Sequence, residues 1–268
     1  MDTVTIAGVE VTRFILGSNP FSGFSHQSRQ RDKDMIHYFT AARIKAVLRE
    51  AESLGVNTIL ARGDHHMLRV LLEYWDEGGK LQWFVQTCPE IGPPEQTLRT
   101  AAGAGAPACH IHGGYADNLL ANNRLEALIP TVEYGRKLGL KVGLAGHDPA
   151  TIRWAHENLN LDYYMCCYYN PIPRDKEAQH RAGTQEVYLE EDRRAMTDLI
   201  QELDKPVIHY KVMAAGRNDP AEAFAYAARR MRPGDAVCVG VYPADGPHML
   251  RQDVELLQQS LAARVGVF

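Results

Sequence analysis

Short apolar runs alternate with longer amphipathic ones along the whole chain. Eight runs have the length and apolar pattern of strands: "RFILG" (13–17), "NTILA" (57–61), "LQWFVQT" (81–87), "ACHIH" (108–112), "KVGLAG" (141–146), "DYYMCCYY" (162–169), "PVIHYKV" (206–212) and "AVCVGVY" (236–242). Helical periodicity fills the intervals. "TAARIKAVLREAESLG" and "NRLEALIPTVEYGRKLG" end on Gly55 and Gly139, as helix C-termini do, and "DPATIRWAHENL" opens with Asp148 as N-cap and Pro149 in the first turn. Eight strands, each followed by a helix, predict an α/β fold: a closed (β/α)8 TIM barrel, with residues 1–268 forming one domain. Ahead of the first barrel strand, "VTIAGVEVTRF" reads as an N-terminal β-hairpin around Ala7 and Gly8 that plugs the barrel floor.

Two connections break the rhythm. The segments 18–39, after the first barrel strand, and 170–188, after the sixth, are long enough to read as binding loops. In this fold the chemistry collects where strands end and βα loops begin. Those positions are rich in ionisable groups. Seven of the 11 histidines (26, 65, 66, 110, 112, 147 and 209) lie in or just after strand runs.

His110 and His112 share a face because a strand repeats every two residues, so both point into the barrel, His112 at the mouth and His110 one layer deeper. A lone buried histidine is more often a hydrogen-bonded core residue than a ligand, and that bland reading suits His110 and His209. His112, His147 and the pair His65/His66 converge by topology on one mouth. Neutral imidazoles at His66, His112 and His147 are the expected ligands of a divalent transition metal, zinc or manganese, with a water at the open position. Without metal the same groups supply a base near neutral pH.

Lys211 interrupts the apolar run "PVIHYKVMAAGR", where desolvating an ammonium is costly, and so reads as a group that holds a substrate oxygen or forms a Schiff base. The expected catalytic set is His112, Lys211, His66 and Asp64. Asn19, Arg62, Glu90, Tyr169 and Asn170 are expected to orient substrate hydroxyls.

Composition narrows the partners. The 268 residues are 45% hydrophobic and 23% charged, with a net charge of −4, which offers no general attraction to nucleic acid or an anionic membrane. No apolar run is long enough to span a bilayer and the first residues lack a signal-peptide pattern, so a cytoplasmic enzyme with a small-molecule substrate is expected. The five cysteines show no CxxC spacing and read as buried thiols. No GxGxxG follows a strand, which removes a Rossmann site. Oligomeric state is left open.

Several of these segments together resemble the aldo-keto reductases. "GVEVTRFILGSNPFSG" resembles that family's opening hairpin and first strand, "IHGGYAD" the end of its fourth strand, "GLAGHDPATIRWA" its fifth, "YYNPIPR" its sixth, "VIHYKVMAAG" the strand that follows, and "CVGVYPADGPHMLRQDV" its tail, without a clear Ser/Thr-Arg pair for an adenosine phosphate. The resemblance implies the barrel fold and NADP as cofactor, with His112 at the family histidine and Tyr169 as the aromatic that packs on the nicotinamide. The rest of the reductase tetrad differs. The family's aspartate falls near Leu60, its tyrosine near His65 or His66, its lysine at Gln86 or Thr87, and its amide-binding asparagine at Gly146.

Two enzyme readings follow. The first is a lyase, isomerase, epimerase or hydrolase acting on a small polyhydroxylated carbonyl compound such as a sugar derivative, metal-assisted or through an imidazole base. The alternative is an NADP-dependent oxidoreductase with His66 in place of the missing tyrosine. A barrel that binds a ligand without catalysis is disfavoured by the number of ionisable groups at the strand ends.

Overall fold

The computed structural model describes residues 1–179 and 183–265. Its first element is a hairpin of β1 (Thr3–Ile6) and β2 (Val9–Thr12), paired from Thr3↔Thr12 to Ile6↔Val9. The turn residues Ala7 (φ 55°) and Gly8 (φ 74°) are both left-handed, the geometry that matches the twist of a two-residue hairpin. Ile6 and Val11 are fully buried against the inward residues Ile15, Leu60 and Phe84, so the hairpin does close the floor.

Eight parallel strands form a closed barrel: β3 (Phe14–Gly17), β4 (Thr58–Arg62), β5 (Gln82–Gln86), β6 (Ala108–Ile111), β7 (Lys141–Gly146), β8 (Tyr163–Cys167), β9 (Val207–Tyr210) and β10 (Ala236–Val239), with β10 returning to β3. Each lies within an apolar run read from the sequence, extending it by one residue at Arg62. Helices α1 (Arg29–Tyr38), α2 (Ala41–Ser53), α3 (His65–Asp76), α4 (Pro94–Gly103), α5 (Gly113–Ala121), α6 (Leu128–Lys137), α7 (Pro149–Asn158), α8 (Glu190–Ile200), α9 (Pro220–Arg230) and α10 (Met249–Val265) surround it. No helix of the described residues is long and apolar enough to cross a membrane.

The strand period sorts the core into two layers. On β6, Cys109 and Ile111 join the large cluster beneath the helices, while Ala108 and His110 face the barrel interior. There Tyr163 spans the barrel, its ring centroid 5.7 Å from Phe84 and 6.2 Å from His110. Gly143 makes this possible, because a Cβ at that position would stand 2.5 Å from the Tyr163 ring.

Segment 18–39, read as an open loop, contains α1. Ser28 caps it by accepting from the Arg31 amide, and only Asp32 and Met35 are buried, so its apolar stripe is too thin to announce a helix. Segment 170–188 is irregular where described, and residues 180–182 of that expected loop lie outside the described residues.

Candidate active site

Two adjoining chambers open at the C-terminal mouth of the barrel. The larger, about 370 Å³, runs from Leu60 and Met165 past the β9 loop to Tyr242 and α10. The smaller, about 80 Å³, lies over β6 and β7. Asn19, Arg62, Tyr210 and Lys211, with Phe24, His26 and Gln86, line both and so form the wall between them.

The centre of the smaller chamber is a buried pair. His147, the first residue after β7, places Nδ1 2.7 Å from Oδ2 of Asp117 on α5. The same carboxylate accepts from the backbone amides of His147 (3.0 Å) and Asp148 (3.3 Å), which fixes it as an acceptor and His147 as the Nδ1–H tautomer. Nε2 is then left as a lone pair, 3.4 Å from the Tyr210 hydroxyl. Burial lowers the pKa of His147, against the upward pull of Asp117, and raises that of Tyr210 well above the usual phenol value. At neutral pH His147 is therefore a neutral imidazole and Tyr210 a phenol, joined to Asp117 through Nδ1.

His112 caps α5: its Nδ1 accepts from the Tyr115 amide at 3.3 Å. Burial, with His147 and Arg174 adding to it, drops its pKa well below the usual imidazole range. Lys211 follows β9 in a left-handed conformation (φ 55°), a strained state for a residue with a side chain. Its Nζ lies 3.3 Å from Nδ1 of His26, which in turn meets Glu186 at 2.7 Å. Burial lowers the lysine pKa.

Of the residues singled out in the sequence, Asn19, Arg62, Glu90, His112, His147 and Lys211 meet in the smaller chamber. Four do not. Asp64 caps α3 through the Met67 amide (2.8 Å) and accepts from Arg62, so both carboxylate oxygens are spent on structure. That cap places His65 and His66 on the exposed first turn of α3, which separates His66 from His112 and His147 and dissolves the expected metal triad. Among the described residues no three metal-ligating side chains of the His, Cys, Asp and Glu types cluster. The reductase reading likewise loses His66 as its proton donor.

Strand β8 ends at Cys167, before the two remaining candidates. Tyr169 packs on Tyr188 and accepts from Asn218 at 2.7 Å, and Asn170 bonds Asp192 and Asp148; neither lines a chamber. His209 points outward into a buried network, 2.9 Å from Tyr168 and 3.2 Å from Asp235.

Tyr210, Asp117 and Arg174 were not singled out from the sequence. Tyr210 had a signal in its own strand: with Ile208 inward, parity also turns residue 210 inward. Asp117 and Arg174 had none, since their contacts are tertiary.

The buried imidazoles set a pH limit on the fold. Burial holds His110 at about 3, and its Nε2 has no partner among the described residues. The unfolded chain takes up these protons near pH 6.5 and the folded chain does not, so stability is lost as pH falls below about 6.5. Asp253, pushed up to about 7 by burial, and Asp192, raised by burial in the same direction, oppose this above the ordinary 3.8, but two carboxyls stand against three imidazoles. Urea midpoints are expected to fall from pH 7 to pH 5. His110→Gln should flatten the profile by roughly 1 kcal/mol per pH unit; an unchanged slope would contradict the assignment.

No family model matches the chain, and no curated protein matches it in sequence. Solved structures do match. A Pseudomonas aeruginosa protein described as an aldo-keto reductase is 18% identical, with a TM-score of 0.61 over 96% of this chain and 94% of that one. An aldo-keto reductase from Bacillus halodurans in its holo form is 10% identical, with a TM-score of 0.58 over 98% and 96%. A truncated 3-deoxy-D-arabino-heptulosonate 7-phosphate synthase from Thermotoga maritima is 15% identical, with a TM-score of 0.56 over 99% and 94%. At such identities the likeness is one of fold. The chain is a divergent (β/α)8 barrel of the form that the aldo-keto reductases share.

Proposed function

We propose that the protein interconverts a small carbonyl compound and its alcohol with a nicotinamide nucleotide as hydride partner, the proton passing through Tyr210. One observation carries this reading: Tyr210 stands on the wall between a chamber of nucleotide-fragment size and a smaller polar chamber that contains an Asp–His pair. The likeness to aldo-keto reductases supports it.

The lining of the larger chamber suits part of such a nucleotide. Met165, Val212 and Tyr242 offer walls for a flat ring, and the buried Asp253 presents an Oδ2 with no partner among the described residues, ready to accept from an amino group. Lys211, Met213 and Gly216 would flank the nucleotide from the β9 loop. When bound, the nicotinamide supplies or accepts hydride at the substrate carbon.

The chain's own residues move the proton. In the oxidative direction the substrate hydroxyl gives its proton to Tyr210 as Tyr210 passes its own to Nε2 of His147, and Asp117 stabilises the imidazolium. Reduction runs the same path backwards. Lys211 faces the substrate oxygen as its charge develops.

Titration of the full chain with NADPH and with NADH, followed by quenching of nicotinamide fluorescence, tests the cofactor. Saturation below millimolar concentration is expected, with Tyr210→Phe binding equally well but losing ~10²- to 10⁴-fold in turnover. Absence of quenching removes the reading.

The Asp117–His147 pair also supports a second reading that needs no nucleotide: proton abstraction next to a carbonyl, leading to isomerisation or elimination on a sugar derivative. Deuterium wash-in from solvent at the carbon beside the carbonyl, in nucleotide-free protein and lost in His147→Ala, would favour it.

A further inference from the structure

Two cations line the smaller chamber without a carboxylate at ion-pair distance among the described residues, Arg174 and Lys211, and Arg174 is the one that cannot shed its charge. The charged lining of the chamber is Arg62, Glu90, Arg174 and Lys211. Arg62 is occupied by Glu90 and by Asp64, the latter at 2.8 Å. Arg174 is only 6% exposed, and its Nη1 donates to the Gln179 carbonyl at 3.2 Å. No carboxylate of the described residues lies within ion-pair distance of it. The nearby Asp117 is held by His147, and Glu186 by His26.

A guanidinium cannot shed its proton, and taking it out of water without a counter-charge costs several kcal/mol. His112 and His147 respond to the same field: Arg174 is among the causes that lower both. The chamber is therefore arranged to receive negative charge from outside.

The position of the charge relates it to the chemistry. A Cβ on Gly114 would stand 3.3 Å from Cζ of Arg174, and a Cβ on Gly113 would stand 3.1 Å from the Tyr210 hydroxyl. The guanidinium and the phenol thus flank two successive residues at the start of α5. We propose that the substrate is a small carbonyl compound bearing a carboxylate, and that Arg174, with Lys211 as second cation, binds that carboxylate while Tyr210 meets the neighbouring carbonyl. Arginine presents a planar donor fork that matches a carboxylate, which a lysine does not. This rests on the mouth being the site of carbonyl chemistry and is independent of the nucleotide.

Isothermal titration calorimetry on the full, nucleotide-free chain tests it, with malonate as the carboxylate probe, inorganic phosphate as the competing anion and malonamide as the neutral analogue. Saturable malonate binding is expected, with none for malonamide. Arg174→Gln should weaken it by about 10- to 100-fold, the loss of charge-assisted hydrogen bonds. Arg174→Lys retains the charge but not the fork, and a several-fold loss in that variant gives the decisive result if Arg174→Gln does not fold. Saturable phosphate binding through Arg174, with none for malonate, overturns the carboxylate assignment. Malonate binding that neither Arg174 variant changes, or no binding of either anion, overturns the site. Because the experiment contains no nucleotide, its failure is separate from a failed NADPH titration.

Discussion

Asp117→Asn is expected to fold and to lose roughly 10³- to 10⁴-fold in turnover, the scale seen when an Asp–His pair is given the wrong tautomer. The carboxylate is 4% exposed and accepts from the His147 amide, the Asp148 amide and Nδ1 of His147. An asparagine retains one acceptor oxygen, which the backbone amides can use, but its NH₂ must then face Nδ1. The imidazole answers by carrying its proton on Nε2, where it meets Tyr210 as a donor instead of an acceptor. The path to the substrate oxygen is then blocked at its first step. The change is visible before any substrate is found: ¹⁵N spectra of the His147 ring should show the Nδ1–H form in the native chain and the Nε2–H form in the variant. An Nε2–H form in both would refute the assigned direction of the relay.

The barrel was legible because its strands are short apolar runs with helices between them, a pattern that burial on both faces of a parallel sheet imposes. His110 and His112 were legible for the same reason, since alternation alone decides which residues of "ACHIH" face inward. Alternation misleads at "IHYKV", where His209 and Lys211 have equal parity. Lys211 leaves the strand through a left-handed turn, so it comes to the mouth together with Tyr210 while His209 stays outside. "GDHH" carried a helix-start signal in its aspartate, and reading Asp64 as a cap would have taken His65 and His66 out of the mouth. Tyr169 and Asn170 were misplaced because the sixth run is apolar beyond the point where β8 ends. Asp117 looks like any carboxylate on a helix, and only the approach of α5 to β7 makes it the partner of His147.

The glycines behind His112 carry a second effect. Gly113→Ala is expected to lower turnover by about 4- to 10-fold with little change in melting temperature. Gly113 is the first residue of α5 and its φ is not left-handed, so alanine meets no backbone penalty and gains helix propensity of up to about 1 kcal/mol. The cost falls elsewhere. The new Cβ would stand 3.1 Å from the Tyr210 hydroxyl, 3.2 Å from Cε1 of His147 and 3.2 Å from the Gly146 amide nitrogen. The amide belongs to the barrel wall and cannot yield easily, so the phenol and the imidazole must part by a few tenths of an ångström. Their present separation of 3.4 Å is already at the long end for a proton transfer, and a 1 Å misplacement of reacting groups costs on the order of 10²-fold. Thermal melts and steady-state kinetics on the same preparation separate the two effects. Turnover within about twofold of the native chain would mean that Tyr210 and His147 do not act as one unit. A large fall in melting temperature would mean that Gly113 serves the packing of α5 on β7 in place of the chemistry.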